Sequence, residues 1–221
     1  MNNTGRKIEW LVWMGLLVIT TSVLLLFIFA LLRQKGALGK TPPALPVIAE
    51  VGGFTLTNQV GSVVTLNELK GRVWVADIIF TRCAGPCPRM TRQMRELQDA
   101  LPSSGGIQLV TLTTDPTFDT PPVMRAYAEK FGADFGRWMF LTGTKDQIAR
   151  LAVDSLKLTA VEKDPQSRES PQDLFIHSTI FVVVDKQSRL RGVYETSGDG
   201  IEFGQVKRQI LAAVQRLERE P

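Results

Sequence analysis

An uncharged apolar run from Trp10 to Leu32, WLVWMGLLVITTSVLLLFIFALL, divides this chain before any fold is considered. As a helix it rises about 34 Å, enough to cross a hydrocarbon core of about 30 Å with some tilt. Trp10 and Trp13 stand at one end, where indole rings favour the membrane–water boundary. A cleaved signal peptide is the competing reading, and Ala37 and Gly39 offer a weak small-x-small site for it. The apolar part of such a peptide is ordinarily about 7–15 residues, shorter than this run, so the segment reads as a retained anchor. Arg6 and Lys7 flank it on one side and Arg33, Lys35 and Lys40 on the other, so a count of positive charges does not orient it.

The expected organisation is a short tail over 1–9, a transmembrane anchor over 10–32, a linker over 33–50 and a folded domain over 51–221. The linker carries Gly36, Gly39, Pro42, Pro43 and Pro46, which suits a semi-extended tether. The chain is basic, with a formal net charge of +4 and a pI of about 9.2. Several positives border the anchor and others alternate with acids near the end (Arg208, Arg216, Glu218, Arg219), with no basic cluster interleaved with aromatics. Nucleic acid is therefore not an expected partner.

Within the domain, Phe54–Thr57 and Val63–Leu66 have strand-like composition, separated by turn signals at Asn58 and Gly61. Val73–Phe80 (VWVADIIF) is nearly continuous in apolar residues, as a central strand covered on both faces requires. Met90, Met94, Leu97 and Leu101 then recur at helical spacing; this stripe reads as core rather than as metal ligands. Gln108–Thr113 is a further strand, and helices are expected over Pro122–Phe131 and Asp146–Val153 with a short strand at Trp138–Leu141 between them. Glu162–Asp173 reads as a polar loop, Ser178–Val184 and Leu190–Tyr194 as a hairpin, and Phe203–Arg219 as a closing helix. Strands alternating with helices, plus a late hairpin, predict an α/β domain with a mixed central sheet flanked by helices.

The chemistry-bearing residues are few. The chain has two cysteines and one histidine, and the cysteines lie four apart, unlike a scattered disulfide framework. Cys83 and Cys87 fall where a buried strand passes into a helix, and in open sheets ligands bind at the carboxyl ends of strands. A helix start is also expected to favour thiolate and lower a cysteine pKa. The pair can share a soft metal ion or form a disulfide. A bridge closing so small a loop removes little chain entropy, so a purely stabilising bond is the weaker reading. A lone histidine such as His177 is usually an ordinary residue, but two thiolates with one imidazole form a soft, low-coordinate set suited to copper(I). A structural zinc site would ask for a fourth ligand.

Three segments together carry a resemblance: Phe80-Thr-Arg-Cys-Ala-Gly-Pro-Cys-Pro88, Thr114-Asp-Pro-Thr-Phe-Asp-Thr-Pro121 and Ile176-His-Ser178. The chain resembles the Sco/SenC family over essentially the whole domain. The resemblance implies a thioredoxin-like fold, copper ligation by Cys83, Cys87 and His177, and a place for Asp115 and Asp119 near the site. Asp119 equally suits a cap for the helix after it. It further implies a chaperone for the copper-bearing subunit of cytochrome c oxidase, with the N-terminus in the cytoplasm and the domain on the periplasmic side. Ala84-Gly85-Pro86 departs from the Pro-Asp-x filling common in the family, which leaves the ligands alone but bears on partner recognition and redox potential.

Three functions compete: copper delivery, thiol–disulfide exchange by a redox-active Cys83–Cys87 pair served by a thiol reductant, and a peroxidase. A Cys-x-x-x-Cys spacing differs from the Cys-x-x-Cys of thioredoxins, simple exchange needs no histidine, and a peroxidase needs no second cysteine so close. Copper delivery is the favoured reading, and the first two are compatible, since thiols that receive copper must be reduced.

Overall fold

The computed structural model describes residues 3–38, 44–102, 106–168 and 175–221. It divides into an N-terminal unit ending at Ala44 and a second unit from Leu45 to Pro221. The N-terminal unit contains one helix, α1 (Asn3–Leu38). Its stretch Glu9–Leu31 is long and apolar enough to cross a membrane, and its side chains are exposed rather than packed in a core. Thr20 and Thr21, two of the polar residues in that stretch, return their hydroxyls to the carbonyl of Leu17 at 3.0 and 2.9 Å, the local bonding that makes them tolerable in an apolar phase.

The second unit is built on an eight-stranded mixed sheet ordered β1-β10-β9-β4-β5-β6-β2-β3. Its strands are β1 (Ala49–Glu50), β2 (Thr55–Asn58), β3 (Val63–Thr65), β4 (Trp74–Ile79), β5 (Gln108–Thr113), β6 (Trp138–Thr142), β9 (Ile180–Val184) and β10 (Arg189–Glu195). β7 (Ala160–Glu162) and β8 (Phe175–His177) form a separate two-stranded ribbon. The helices are α2 (Leu66–Leu69), α3 (Cys87–Ala100), α4 (Pro121–Lys130), α5 (Lys145–Ala149) and α6 (Phe203–Arg219). β4, β5 and β6 run parallel, and β9 lies antiparallel to β4.

The period-two alternation of strand side chains explains both faces. From β4, Trp74, Ala76 and Ile78 enter one core with Val110, Leu112, Ile148 and Leu151. Val75 and Ile79 enter the other, which α3, α4 and α6 close with Met90, Met94, Leu97, Met124, Ile210 and Val214. The methionine stripe is thus core, as the helical spacing predicts. The burial of β4 on both faces accounts for its nearly continuous apolar run.

Three expectations shift. The helix expected over Asp146–Val153 is α5 followed by a wider π-helical segment, Arg150–Ser155. The wider turn buries Leu151, Ala152 and Ser155 together, and Ser155 accepts a hydrogen bond from Gly52 N–H at 3.3 Å. The polar loop expected over Glu162–Asp173 begins as the last residue of β7; its residues 169–173 lie outside the described residues, as do 39–43 of the expected linker. The linker's C-terminal end, from Leu45, belongs to the second unit, where β1 pairs with β10.

That edge is fastened by charge. Arg191, almost fully buried, donates to the carbonyls of Leu45 and Pro46 and to the carboxylates of Asp185 (2.6 Å) and Glu220 (2.9 Å). One guanidinium thereby joins the start of the unit, the β9–β10 turn and the end of α6.

Candidate functional site

β4 ends in the middle of the sheet, and the chain must turn before α3 can pack behind it. The turn is made by Cys83 N–H to Phe80 C=O (3.2 Å), and α3 opens with Arg89 and Met90 N–H both donating to Pro86 C=O (3.0 Å each). Cys87 is the first residue of α3 and Pro88 the second, where the missing N–H costs nothing. Cys87 is fully buried and Cys83 half-buried, and the two are not joined in a disulfide. They are close enough to share a hydrogen bond. Burial first, then that bond and the neighbouring Cys83 charge, pushes the Cys87 thiol far up. The sequence expectation of a lowered cysteine pKa at the helix start is therefore reversed at Cys87, because desolvation of this sulfur outweighs the helix dipole.

Thr81 and Arg82, which lead into the cysteine loop, are held from the side by the Asp115–Asp119 segment. Asp119 is fully buried, and its carboxylate accepts from Thr81 N–H at 3.1 Å and from the hydroxyls of Thr81 and Thr113. Burial holds its pKa above the ordinary 3.8, while these hydrogen bonds oppose the rise. The alternative of Asp119 as a helix cap is corrected: Thr120 occupies the cap position without a side-chain bond, and Asp119 faces the cysteine loop instead. Asp115 forms an ion pair with Arg82, whose guanidinium lies 4.0 Å from the centre of the exposed Phe118 ring.

Beneath the thiols lies a second polar layer that sequence reasoning passed over. Asp77, fully buried in β4, accepts from the Thr111 hydroxyl at 2.7 Å, and Thr111 in turn accepts from Trp138 Nε1–H at 2.9 Å. Thr91 donates to the Cys87 carbonyl at 2.9 Å and is 2.9 Å from the Tyr127 hydroxyl. Burial raises the Tyr127 pKa, and the nearby Cys87 and Asp77 charges add to the rise. The available signal was the acid in the middle of VWVADIIF, where a strand covered on both faces has no solvent for it.

For His177 the structure describes the backbone. It ends β8, opposite Ala160, and the hairpin strand expected from Ser178 begins at Ile180 as β9. The strand that follows pairs antiparallel with β4 (Ala76 with Val182), so the chain just before Ile180 lies at the end of the sheet from which the cysteine loop emerges. Among the described residues, no group of three or more His, Cys, Asp or Glu side chains is gathered to hold a metal ion. Two adjacent thiols, one reachable from solvent, are nonetheless a soft donor pair that fits a thiophilic ion such as copper(I) and needs one further ligand.

A mixed sheet with a dithiol between its central strand and the following helix defines a thioredoxin-like dithiol protein. The SCO1/SenC family matches residues 45–212, and the chain belongs to that family. It is 35% identical over 162 residues to the SCO1 protein homolog of Bacillus subtilis, covering 71% of this chain and 81% of that protein. Among solved structures it is similar to BsSco, a member of the Sco family of cytochrome c oxidase assembly proteins in which a disulfide switch is identified. That likeness has a TM-score of 0.64 and 29% identity over 82% of this chain and 98% of the other. ScoI of Bradyrhizobium japonicum, solved with copper bound, shares the fold at a TM-score of 0.62 and 22% identity, covering 76% of this chain and 99% of that one.

Proposed function

We propose that this protein takes up one copper ion through the thiolates of Cys83 and Cys87 and the imidazole of His177, and delivers it to the copper-bearing subunit of cytochrome c oxidase. The observation that carries this reading is the adjacency of two unbridged thiols at the head of α3, one half-exposed and one buried. Membership of the SCO1/SenC family supports the same reading, as do a copper-bound structure with this fold and the oxidase-assembly role of BsSco. Residues 1–9 are the cytoplasmic tail, 10–32 cross the membrane, and the domain works on the periplasmic side.

Copper titration of the reduced full chain in an uncharged detergent tests the ligand set. One copper per chain is expected, with a thiolate-to-copper(II) charge-transfer band that Cys83→Ser or Cys87→Ser abolishes and His177→Ala weakens or shifts. Unchanged affinity in all three variants sinks the assignment. A reporter fused after Pro221 should work only if it is active outside the cytoplasm; activity of a strictly cytoplasmic reporter reverses the orientation.

A second reading, thiol–disulfide exchange, is favoured by the unequal exposure of the sulfurs: Cys83 can be attacked or attack, and Cys87 can resolve. The two roles join in a switch, since a disulfide removes two of the three ligands and a thiol reductant must restore them. Bound copper should protect both thiols from alkylation, and oxidised protein should not bind copper(I).

A further inference from the structure

The first turns of α3 carry charges that its own stability disfavours. A helix start holds partial positive charge and favours acids. Here the first turn has no acidic residue, and Arg89 and Arg92 stand exposed on the outward face within two turns of Cys87. Neither guanidinium has an ion pair or hydrogen bond among the described residues. The other two arginines between Thr81 and Arg95 are engaged: Arg82 with Asp115, and Arg95 with Asp99 and the Gly132 carbonyl. From Thr81 to Arg95 the chain contains no Asp or Glu. Of the acids toward this end of the sheet, Glu195 ends β10 and Asp199 and Glu202 follow Thr196, whose carbonyl is held by Gln93 on the flank of α3 that faces α6. The cysteine loop itself is low: a Cβ added at Gly85 would meet the Cys83 sulfur at 3.7 Å, so no side chain there screens the thiol. Beside it the Arg82 guanidinium, paired with Asp115, lies on the exposed Phe118 ring.

We infer that the surface around Cys83 is an electropositive docking face for an acidic protein segment, one that carries carboxylates beside the sulfurs it exchanges. Two cations without a partner among the described residues, kept at the wrong end of a helix within two turns of Cys87, attract such a partner and repel a basic one. The inference rests on the dithiol reading above and is independent of copper. In the exchange, the Cys83 thiolate attacks one sulfur of the partner disulfide and expels the other as thiolate. Cys87 then attacks Cys83 in the mixed disulfide and releases the second partner thiol. Two electrons pass to the partner, the Cys83–Cys87 bond forms, and the two thiol protons of the pair end on the partner's thiols.

The test is the rate at which the reduced full chain, in an uncharged detergent, reduces 3,3′-dithiodipropionate and cystamine, which carry opposite charges. Each rate is normalised to that of 2-mercaptoethanol with the same reagent. The expected preference for the anionic disulfide is about fivefold or more at low salt and shrinks as salt rises. Arg89→Gln with Arg92→Gln should bring the preference close to one without lowering the thermal midpoint or the copper stoichiometry. No preference in the parent chain, or the same preference in the double variant, overturns the inference. Anionic lipid is the rival occupant: hydrogen exchange slowed at residues 82–92 in phosphatidylglycerol but not phosphatidylcholine nanodiscs, and abolished in the double variant, overturns it too. Loss of copper binding with the charge preference intact would instead remove the copper reading and leave this one standing.

Discussion

Asp185 and Asp119 are both buried carboxylates, one at each end of the central sheet, and they are held in opposite ways. Asp185 accepts from the guanidiniums of Arg191 (2.6 Å) and Arg189 (2.8 Å) and from backbone N–H groups of Gln187 and Arg189. Burial works against its charge, but these bonds outweigh it and hold its pKa below 3.8. Asp119 has two hydroxyls and one amide for partners, and burial wins. Full charge neutralisation makes a rigid clasp. Neutral donors position a loop without fixing its charge, which suits a segment whose neighbour must react. The end with the clasp gathers Leu45, the β9–β10 turn and Glu220; the other end carries the thiols.

Arg191→Leu attacks the clasp and should give the largest effect. It leaves Asp185 and Glu220 short of a cation and two carbonyls without their donor, a loss of about 3–5 kcal/mol in urea unfolding. Copper stoichiometry of the folded fraction should not change. A change in copper binding would show that the two ends are not separate.

Asp119→Asn attacks the other end. One amide oxygen cannot serve three donors, so about 1–3 kcal/mol of stability should go. The Thr81–Cys87 loop loses its lateral hold, so copper affinity should fall as well. Stability lost with copper affinity intact would make Asp119 an ordinary buried acceptor.

The pH dependence should separate the two aspartates by sign. Asp185, with a depressed folded pKa, contributes stability that is present above pH 3.8 and lost as pH falls through the folded value. Asp119, with a raised folded pKa, contributes stability that is present below pH 3.8 and lost as pH rises through the folded value. Relative to the parent chain, Asp185→Asn should flatten the acid limb of an unfolding curve measured from pH 3 to 7, and Asp119→Asn should remove a decline above it. The same sign for both variants would break the contrast.

How much of this was legible in the sequence follows the range of the forces involved. The sheet's centre, α3 and its buried methionines show in local periodicity, and the dithiol junction shows in the order of strand, loop and helix. The Asp119–Thr81 tether does not, because it joins residues 38 apart and the local reading of an acid before a helix is a cap. Neither does the β7–β8 ribbon: three-residue strands have too few positions for alternation to register. The lowered thiol pKa expected at a helix start failed at Cys87 because burial depends on what packs over the sulfur, which spacing alone does not encode. The Arg191 clasp does not show either: its guanidinium joins Leu45 and Glu220, residues far from it in the chain.

The smallest expected effect bears on the thiol end alone. Arg89 is exposed in the first turn of α3, where its charge faces the positive end of the helix. Replacing it by glutamine keeps a good helix former and removes the repulsion, so stability should rise by about 0.3–1 kcal/mol at low salt and by less as salt increases. Thiol exchange with an anionic disulfide should slow at the same time. A gain in stability coupled to a loss in reactivity is the signature of a charge kept for recognition rather than for folding. Arg189 offers the contrasting control at the clasp end, since it donates to Asp185 at 2.8 Å and its loss should lower stability without touching exchange. If Arg89→Gln lowers stability instead, the guanidinium has a structural role and the division of labour between the two ends fails at this residue.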